Sequence, residues 1–149
     1  RKMKRGGLEK MDERNRSHMQ AYMGNVRRME QITRINTNLR LLKRHQSEGY
    51  GKGIKTIDVE VAGLRVGDFV MATFPGEITV PIGLNIKKAS KHDLTFVAGY
   101  TNGYIFYAPT AEQMKNTGGA QEDSDCLLAP AWQKTYETKA AAIIGRLLQ

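Results

Sequence analysis

The chain has 149 residues and a net charge of +8, and its 40% hydrophobic and 26% charged content is typical of an ordinary globular protein. This composition excludes collagen-like, mucin-like and low-complexity chains. No apolar run approaches the roughly 18 residues that a membrane-spanning helix needs. A single cysteine, Cys126, excludes an internal disulfide and a cysteine-rich zinc site. Because the chain begins at Arg1 and no signal-peptide pattern follows, we expect it to be a piece of a larger protein.

The positive charge is concentrated toward the N-terminus. Residues 1–55 contain 15 lysines and arginines against 5 acidic residues, whereas residues 56–149 contain 8 against 10. A glycine-rich stretch at residues 49–53 separates the two compositions and disfavours continuation of a helix. We therefore predict a basic, largely helical segment over residues 1–55 and an α/β segment over residues 56–149.

A long amphipathic helix is predicted for residues 16–45. Its apolar residues recur at steps of three and four, the spacing that keeps side chains on one helical face. They are Met19, Tyr22, Met23, Val26, Met29, Ile32, Ile35, Leu39 and Leu42. The simplest interpretation is a solvated basic face on a helix whose apolar stripe packs against other protein. The alternatives are an RNA-binding helix and a contact surface for a missing part of the same protein. The lack of aromatic residues among the arginines speaks against nucleic acid.

Several short runs in the second segment predict strands. Residues 54–61 alternate apolar and polar side chains as a half-buried strand does. Residues 69–74 and 94–100 form short apolar runs that are typical of buried strands. Residues 79–90 fit a helix with lysines near its C-terminus, and their alternation fits a strand equally well.

A polar loop and a helix complete the chain. Residues 101–125 predict a loop with a short helical turn near residues 110–115, and residues 131–148 predict a C-terminal amphipathic helix. The apolar stripe of that helix would contain Trp132, Tyr136, Ala140, Ile143 and Leu147. The predicted fold class is α/β: a mixed sheet of few strands flanked by helices, with a long N-terminal amphipathic helix, as a fragment of a larger domain.

The common site motifs are absent from the sequence. There is no phosphate-binding glycine loop, no nucleophile elbow and no H-E-x-x-H helix. His18, His45 and His92 stand singly, without a second ligand at a chelating spacing, so each is expected at the surface. Cys126 has no base nearby in sequence and is expected to be a packed thiol.

Two segments that follow buried strands are the candidate site. The Pro75-Gly76 turn places Glu77 at a strand end, and α/β proteins gather their site residues at such ends. A carboxylate in that position requires a partner such as a cation or metal. The second segment, residues 99–107, brings three tyrosines and an asparagine into one turn. Composition alone leaves two interpretations of this segment: an aromatic loop that closes the edge of the core, or a site.

Ordered blocks in the second segment resemble a known family. They are Gly63-Leu64-Arg65-Val66-Gly67-Asp68-Phe69, Phe74-Pro75-Gly76-Glu77, Ala98-Gly99-Tyr100-Thr101-Asn102-Gly103-Tyr104-Ile105-Phe106-Tyr107, Pro109-Thr110-Ala111-Glu112 and Ala129-Pro130. In this order and spacing, the blocks resemble the closing third of the catalytic domain of neutral/alkaline non-lysosomal ceramidases. The resemblance covers residues 56–149, and the first 50 residues carry no matching block.

The resemblance implies a zinc-dependent hydrolysis of the amide bond that joins a fatty acid to sphingosine. The family holds its zinc with two histidines, a glutamate and a tyrosine. The glutamate of the P-G-E block is Glu77 here, and the tyrosine that closes the N-x-Y-x-x-Y block is Tyr107. Asn102 and Tyr104 of the same block are candidates for a supporting catalytic role. Carboxylate and phenolate oxygens suit zinc, which also lowers the pKa of a bound water toward neutrality.

The sequence departs from the family in two respects. The family's zinc histidines lie far upstream, and residues 1–55 do not reproduce their surroundings. Many relatives have a Tyr-Glu pair after two glycines, where this chain has Ala120-Gln121 after Gly118-Gly119. We therefore predict the C-terminal part of a ceramidase-like zinc hydrolase that acts on ceramide or a related lipid amide. This chain would carry two of four metal ligands and have no activity alone.

The predicted partners are the remainder of the same enzyme or a second copy of this chain, with a lipid amide as substrate. Two alternative functions stay open at this point. One is a non-catalytic basic-helix module that binds RNA or an anionic surface, and the other is a degenerate ceramidase relative. The sequence leaves the compartment open, and ceramidase relatives are often secreted or periplasmic.

Overall fold

The structure, a computed structural model, describes residues 5–119, 121 and 123–149. The chain forms two compact units, Arg1–His45 and Gln46–Gln149. No helix among the described residues is long and apolar enough to cross a membrane. Ala120, part of the departure from the family pattern noted above, lies outside the described residues.

The N-terminal helix α1 spans Arg5–Glu48 and confirms the helix predicted for residues 16–45. The nine apolar side chains of the predicted stripe are exposed, but they do not share one face. Each step of three residues falls about 60° short of a full helical turn. Three such steps follow one another between Val26 and Ile35, so residues 19–29 and 32–42 lie on roughly opposite sides of α1. The prediction of a single apolar face is therefore wrong.

The second unit is built on a small mixed sheet. Its strands are β1 (Gly63–Val66), β2 (Phe69–Thr73) and β4 (Thr95–Ala98) in the order β1-β2-β4. β1 pairs with β2 in antiparallel register, and β2 pairs with β4 in parallel register. Helix α2 (Val80–Ser90) lies between β2 and β4 in the chain, as a parallel pair requires. The predicted α/β class with few strands is confirmed.

Two very short strands form a separate ladder beside this sheet. β3 (Glu77–Ile78) pairs in parallel with β5 (Tyr107–Ala108). Short 3₁₀ turns lie at Tyr50–Lys52, Gln113–Lys115 and Asp123–Asp125, and helix α3 spans Trp132–Leu147. The turn predicted near residues 110–115 is confirmed.

The helical alternative for residues 79–90 is the one observed. Ile82 and Ile86, one helical turn apart, are buried on the inner face of α2, while Val80 and Leu84 are exposed. A strand would have placed all four residues on one face. The helical period therefore explains which of the four apolar residues enter the core.

Helix α3 supplies much of the core of the second unit. Its buried residues follow one another at steps of four: Trp132, Tyr136, Ala140 and Ile144. Ile144 takes the place predicted for Ile143, which is only partly buried. The Tyr136 hydroxyl donates to the Thr73 carbonyl oxygen at 3.2 Å, so α3 is fixed to the end of β2.

The strand predicted for residues 54–61 does not form. This segment is extended and packs Val59 and Val61 against the core, which accounts for its alternating pattern without a strand ladder. The first strand begins instead at Gly63, where an added Cβ would collide with the Ile143 side chain of α3. The alternation therefore predicted burial correctly at Val59 and Val61 and wrongly at Ile54 and Ile57, which are exposed, and it predicted strand pairing wrongly.

Candidate functional site

Four backbone hydrogen bonds hold the loop of residues 99–107 against the corner that follows β2. The Tyr100 amide donates to the Gly76 carbonyl at 3.1 Å, and the Glu77 amide donates to the Phe106 carbonyl at 2.9 Å. Two more join Ile105 to Pro75 at 2.7 Å and Thr101 to Phe74 at 3.2 Å. The two candidate segments found in the sequence thus form one structural unit.

Two glycines permit this close approach of main chains. A Cβ at Gly76 would lie 2.8 Å from the carbonyl oxygen of Phe106, and a Cβ at Gly99 would lie 2.9 Å from the carbonyl oxygen of Gly76. Both distances are shorter than real Cβ contacts allow. These positions are therefore restricted to glycine by packing of backbone on backbone.

The short ladder sets Glu77 beside Tyr107. Their Cα atoms are register partners in the parallel pairing of β3 with β5. Directly paired residues of neighbouring strands project on the same face of a sheet. The carboxylate and the phenol that the resemblance singled out therefore leave the backbone on one side of the ladder.

Tyr104 and Tyr100 surround the same carboxylate. The Tyr104 hydroxyl donates a hydrogen bond to Oε1 of Glu77, and the rings of Tyr100 and Tyr104 stack at 5.8 Å with an angle of 8°. Hydrogen bonding to Glu77, together with some loss of hydration and the negative charge of Glu77, raises the pKa of each of these two tyrosines to about 12. Both phenols therefore stay protonated at neutral pH and act as donors.

The loop adopts an unusual backbone. Tyr100, Asn102 and Phe106 have φ values of 55°, 59° and 66°, in the left-handed region that costs a residue with a side chain about 1–2 kcal/mol. Such strain is found where surrounding contacts fix a conformation, and it clusters at functional sites. Here the hydrogen bonds to residues 74–77 supply those contacts.

Asn102 points to another neighbour. Its side-chain amide donates to Oε1 of Glu60 at 3.1 Å, in the extended segment before β1. Tyr104, by contrast, contacts Glu77 directly. Tyr100, to which the sequence assigned no role, stacks on Tyr104, and hydrogen bonding to Glu77 raises its pKa. The four-residue spacing of Tyr100 and Tyr104 in a glycine-bounded loop was the available signal.

The described residues do not by themselves fit a zinc ion. No group of three His, Cys, Asp or Glu side chains among them could hold a metal. Glu77 and Tyr107 offer two oxygen donors, whereas a zinc site uses three or four ligands that include nitrogen or sulfur. Of the histidines in the sequence, His92 lies in the second unit, and its ring Nε2 is 2.5 Å from the Asp68 carbonyl oxygen.

A cavity of about 260 Å³ lies next to Tyr107. Its walls are formed by Tyr107, Pro109, Met114, Gln121, Asp123, Cys126, Leu128 and Pro130. The backbone N–H of Gln121 donates to Oδ1 of Asn116 at 2.9 Å, which fixes this residue in the wall. Cys126 is partly buried, and this burial raises the pKa of its thiol, as expected for a packed cysteine.

Comparisons with known proteins give structural matches only. No protein-family model and no curated protein matches the chain. Two ceramidase structures are similar to part of it. They are neutral ceramidase from Pseudomonas aeruginosa and a ceramidase complexed with C2, each with 26% identity and a TM-score of 0.44 over 58% of this chain. This chain spans about 15% of the length of either ceramidase.

Proposed function

We propose that this chain is the C-terminal portion of a ceramidase-like, zinc-dependent hydrolase that cleaves the N-acyl amide bond of ceramide or a related lipid amide. The observation that carries the proposal is the pairing of Glu77 with Tyr107 across β3 and β5. Both residues come from sequence blocks that resemble the family, and the ladder brings these distant blocks together. Two histidines from outside this chain would complete the ligand set.

The residues of this chain would bind and orient rather than react alone. The hydrogen bond from Tyr104 restrains the Glu77 carboxylate, and the backbone bonds around Gly76 restrain its Cα. Such restraint lowers the cost of assembling a site whose ligands come from separate segments. Tyr104 is therefore proposed as a positioning residue. Asn102, which bonds to Glu60, is proposed only as a support of the loop.

Fragment complementation tests the proposal. The full chain would be produced together with the N-terminal portion of a neutral ceramidase, and hydrolysis of a fluorescent ceramide would be measured in the copurified pair. We expect turnover by the pair and none by this chain alone, with or without zinc. Glu77→Gln and Tyr107→Phe should each reduce turnover at least a hundredfold, because an incomplete ligand set weakens metal binding.

Two exposed positions provide matched controls for the Glu77 and Tyr107 substitutions. Glu30→Gln in α1 and Tyr50→Phe in the 3₁₀ turn make the same chemical changes at exposed positions and should leave turnover unchanged. Hydrolysis by this chain alone would contradict the half-site, and so would full turnover by the Glu77→Gln pair. A copurified pair that binds zinc and does not hydrolyse ceramide would favour the degenerate relative.

The second candidate is a non-catalytic module that docks through α1 on RNA or an anionic surface. It is favoured by the basic charge of residues 1–55 and by the exposure of the α1 arginines at positions 16, 27, 28, 34 and 40. Phosphate contacts release counterions, so retention on RNA would fall steeply with salt. RNA binding that weakens steeply with salt and has a defined site size, together with no ceramide hydrolysis by the copurified pair, would favour this alternative.

A further inference from the structure

The cavity beside Tyr107 has a largely apolar wall. Pro109, Met114, Leu128 and Pro130 contribute aliphatic surface, and Cys126 adds a protonated thiol. The cavity volume of about 260 Å³ is several times the ~30 Å³ that one water occupies in the liquid, so the cavity has room for a short alkyl chain. An open cavity with this lining suits a linear hydrocarbon chain.

The charged group at this cavity is negative. Asp123 lines it, and its carboxylate accepts a hydrogen bond from Nδ2 of Asn116 at 3.0 Å. Glu77 stands next to Tyr107 on the neighbouring ladder. No lysine or arginine is among the described lining residues, and nearby Lys115 forms an ion pair with Glu112 at 2.5 Å. The polar head group of an amphiphile bound in this cavity would therefore lie in the negative potential of Asp123.

We propose that this cavity binds a linear primary alkylamine, with the ammonium group near Asp123 and the alkyl chain against Met114 and Leu128. The choice of amphiphile rests on the proposed function, because hydrolysis of a lipid amide yields a fatty acid and an amine. The sign of the charge assigns the amine to this cavity and excludes the fatty acid, whose carboxylate Asp123 repels.

The single tryptophan supplies a built-in reporter of binding. The buried Trp132 indole donates to the carbonyl oxygen of Pro109 at 2.9 Å, and Pro109 belongs to the cavity wall. The full chain would be titrated with decylamine, decanol and sodium decanoate, each below its critical micelle concentration, while Trp132 fluorescence is followed. We expect affinity in the order decylamine, decanol, decanoate, with steps of about two- to fivefold because Asp123 is an exposed charge. Added salt should weaken decylamine binding and leave decanol binding unchanged.

Substitutions assign the effect to the cavity. Asp123→Asn retains an oxygen that can accept from Asn116, and it should weaken decylamine binding two- to fivefold while strengthening decanoate binding. Asp93→Asn, the same change at an exposed acid in the loop before β4, is the control and should alter neither. Leu128→Phe and, independently, Met114→Phe should reduce binding of all three probes by filling the cavity. Urea unfolding identifies a variant that fails to fold.

The exposed apolar residues of α1 are the competing binding site for any amphiphile. Leu39→Ser removes one of them and should leave the titrations unchanged. Decanoate affinity equal to or above that of decylamine would overturn the inference, as would unchanged binding in both filling variants. Neither of these results would affect the complementation experiment, which tests Glu77 and Tyr107 as metal ligands. Failed complementation likewise leaves the charge preference of the cavity intact.

Discussion

Glu77 is restrained through both its main chain and its side chain. Its amide is bonded to Phe106, and its carboxylate accepts from Tyr104. The same short distances that produce these bonds leave no space for a side chain at Gly76. At the scale of single residues, the site therefore depends on an absent Cβ as much as on the groups that are present.

Gly76→Ala should destabilise the chain. The added methyl group would lie 2.8 Å from the backbone oxygen of Phe106, and overpacking of this kind costs about 1–3 kcal/mol. Gly83→Ala is the matched control, since nothing lies within 4 Å of its Cβ inside α2. It should be neutral or stabilise by up to about 1 kcal/mol. Urea unfolding measures both, and equal stability of the two variants would contradict the backbone approach.

Glu77→Gln should lower the pKa of two tyrosines. Tyr100 and Tyr104 have their pKa raised to about 12 chiefly by hydrogen bonding to the Glu77 carboxylate. Without that negative charge, their pKa values should move back toward 10, which phenolate absorbance during a pH titration detects. Tyr50→Phe removes an exposed phenol elsewhere and should leave unchanged the rise in phenolate absorbance near pH 12 that Tyr100 and Tyr104 produce. An unchanged rise in Glu77→Gln would disprove the contact.

These phenols also make stability depend on alkaline pH. Because the folded chain keeps their protons to higher pH than the unfolded chain does, the stabilisation is complete below pH 10. It is then lost as the pH rises to about 12. Burial raises the pKa of Tyr136 as well and acts in the same direction. The free energy of unfolding should therefore fall in this range, and fall less in Glu77→Gln.

At the scale of elements, the loop of residues 99–107 depends on one hydroxyl. Oγ1 of Thr101 lies 3.1 Å from the backbone nitrogen of Phe74, from which it accepts. It also lies 3.1 Å from the carbonyl oxygens of Phe74 and Ala98, to either of which it can donate. Thr101 thus joins the ends of β2 and β4 at the point where the aromatic loop leaves the sheet.

Thr101→Val should loosen this junction. The substitution keeps the shape but removes the hydrogen bonds of the hydroxyl. The Phe74 amide still donates to the Ala98 carbonyl at 2.8 Å, and the Phe74 carbonyl still accepts from the amide of residue 101. We therefore expect a loss of about 0.5–1.5 kcal/mol, the net value of a typical hydrogen bond. Thr138→Val is the matched control, because the exposed Thr138 hydroxyl bonds only locally, to Lys134 at 2.8 Å within α3. It should change the free energy of unfolding by less than about 0.5 kcal/mol. Comparable losses in the two variants would contradict an anchoring role for Thr101.

Helix α1 shows how step length controls the direction of an apolar stripe. Steps that alternate between three and four residues keep side chains nearly aligned, whereas repeated steps of three rotate them. In α1 the repetition between Val26 and Ile35 turns the stripe by about 180°. One flat surface therefore cannot cover all of its apolar residues.

At the scale of the whole molecule, the chain pairs Glu77 with Tyr107 across β3 and β5, and no group of three His, Cys, Asp or Glu side chains among its described residues could hold a metal. Metal binding to a partial site forgoes much of the roughly 10–16 kcal/mol that complete structural zinc sites provide. The full chain titrated with zinc should therefore show only weak binding, which calorimetry measures. Binding tighter than about micromolar that disappears in Glu77→Gln would contradict the half-site, and Glu30→Gln controls for surface carboxylates.

The sequence by itself determined α1, α3, the buried strands β2 and β4, and the two blocks that carry Glu77 and Tyr107, and it left residues 79–90 open between a helix and a strand. Periodicity sufficed for α3 because the burial of its side chains follows a local repeat, and short apolar runs sufficed for β2 and β4. It failed for residues 54–61, where the alternation reflects packing of Val59 and Val61 without a ladder. Only the tertiary structure decided the register of β3 with β5 and the capture of Glu77 by Tyr100 and Tyr104. These contacts join residues 23 to 30 positions apart, and the two paired strands have two residues each, which is too short to show a period.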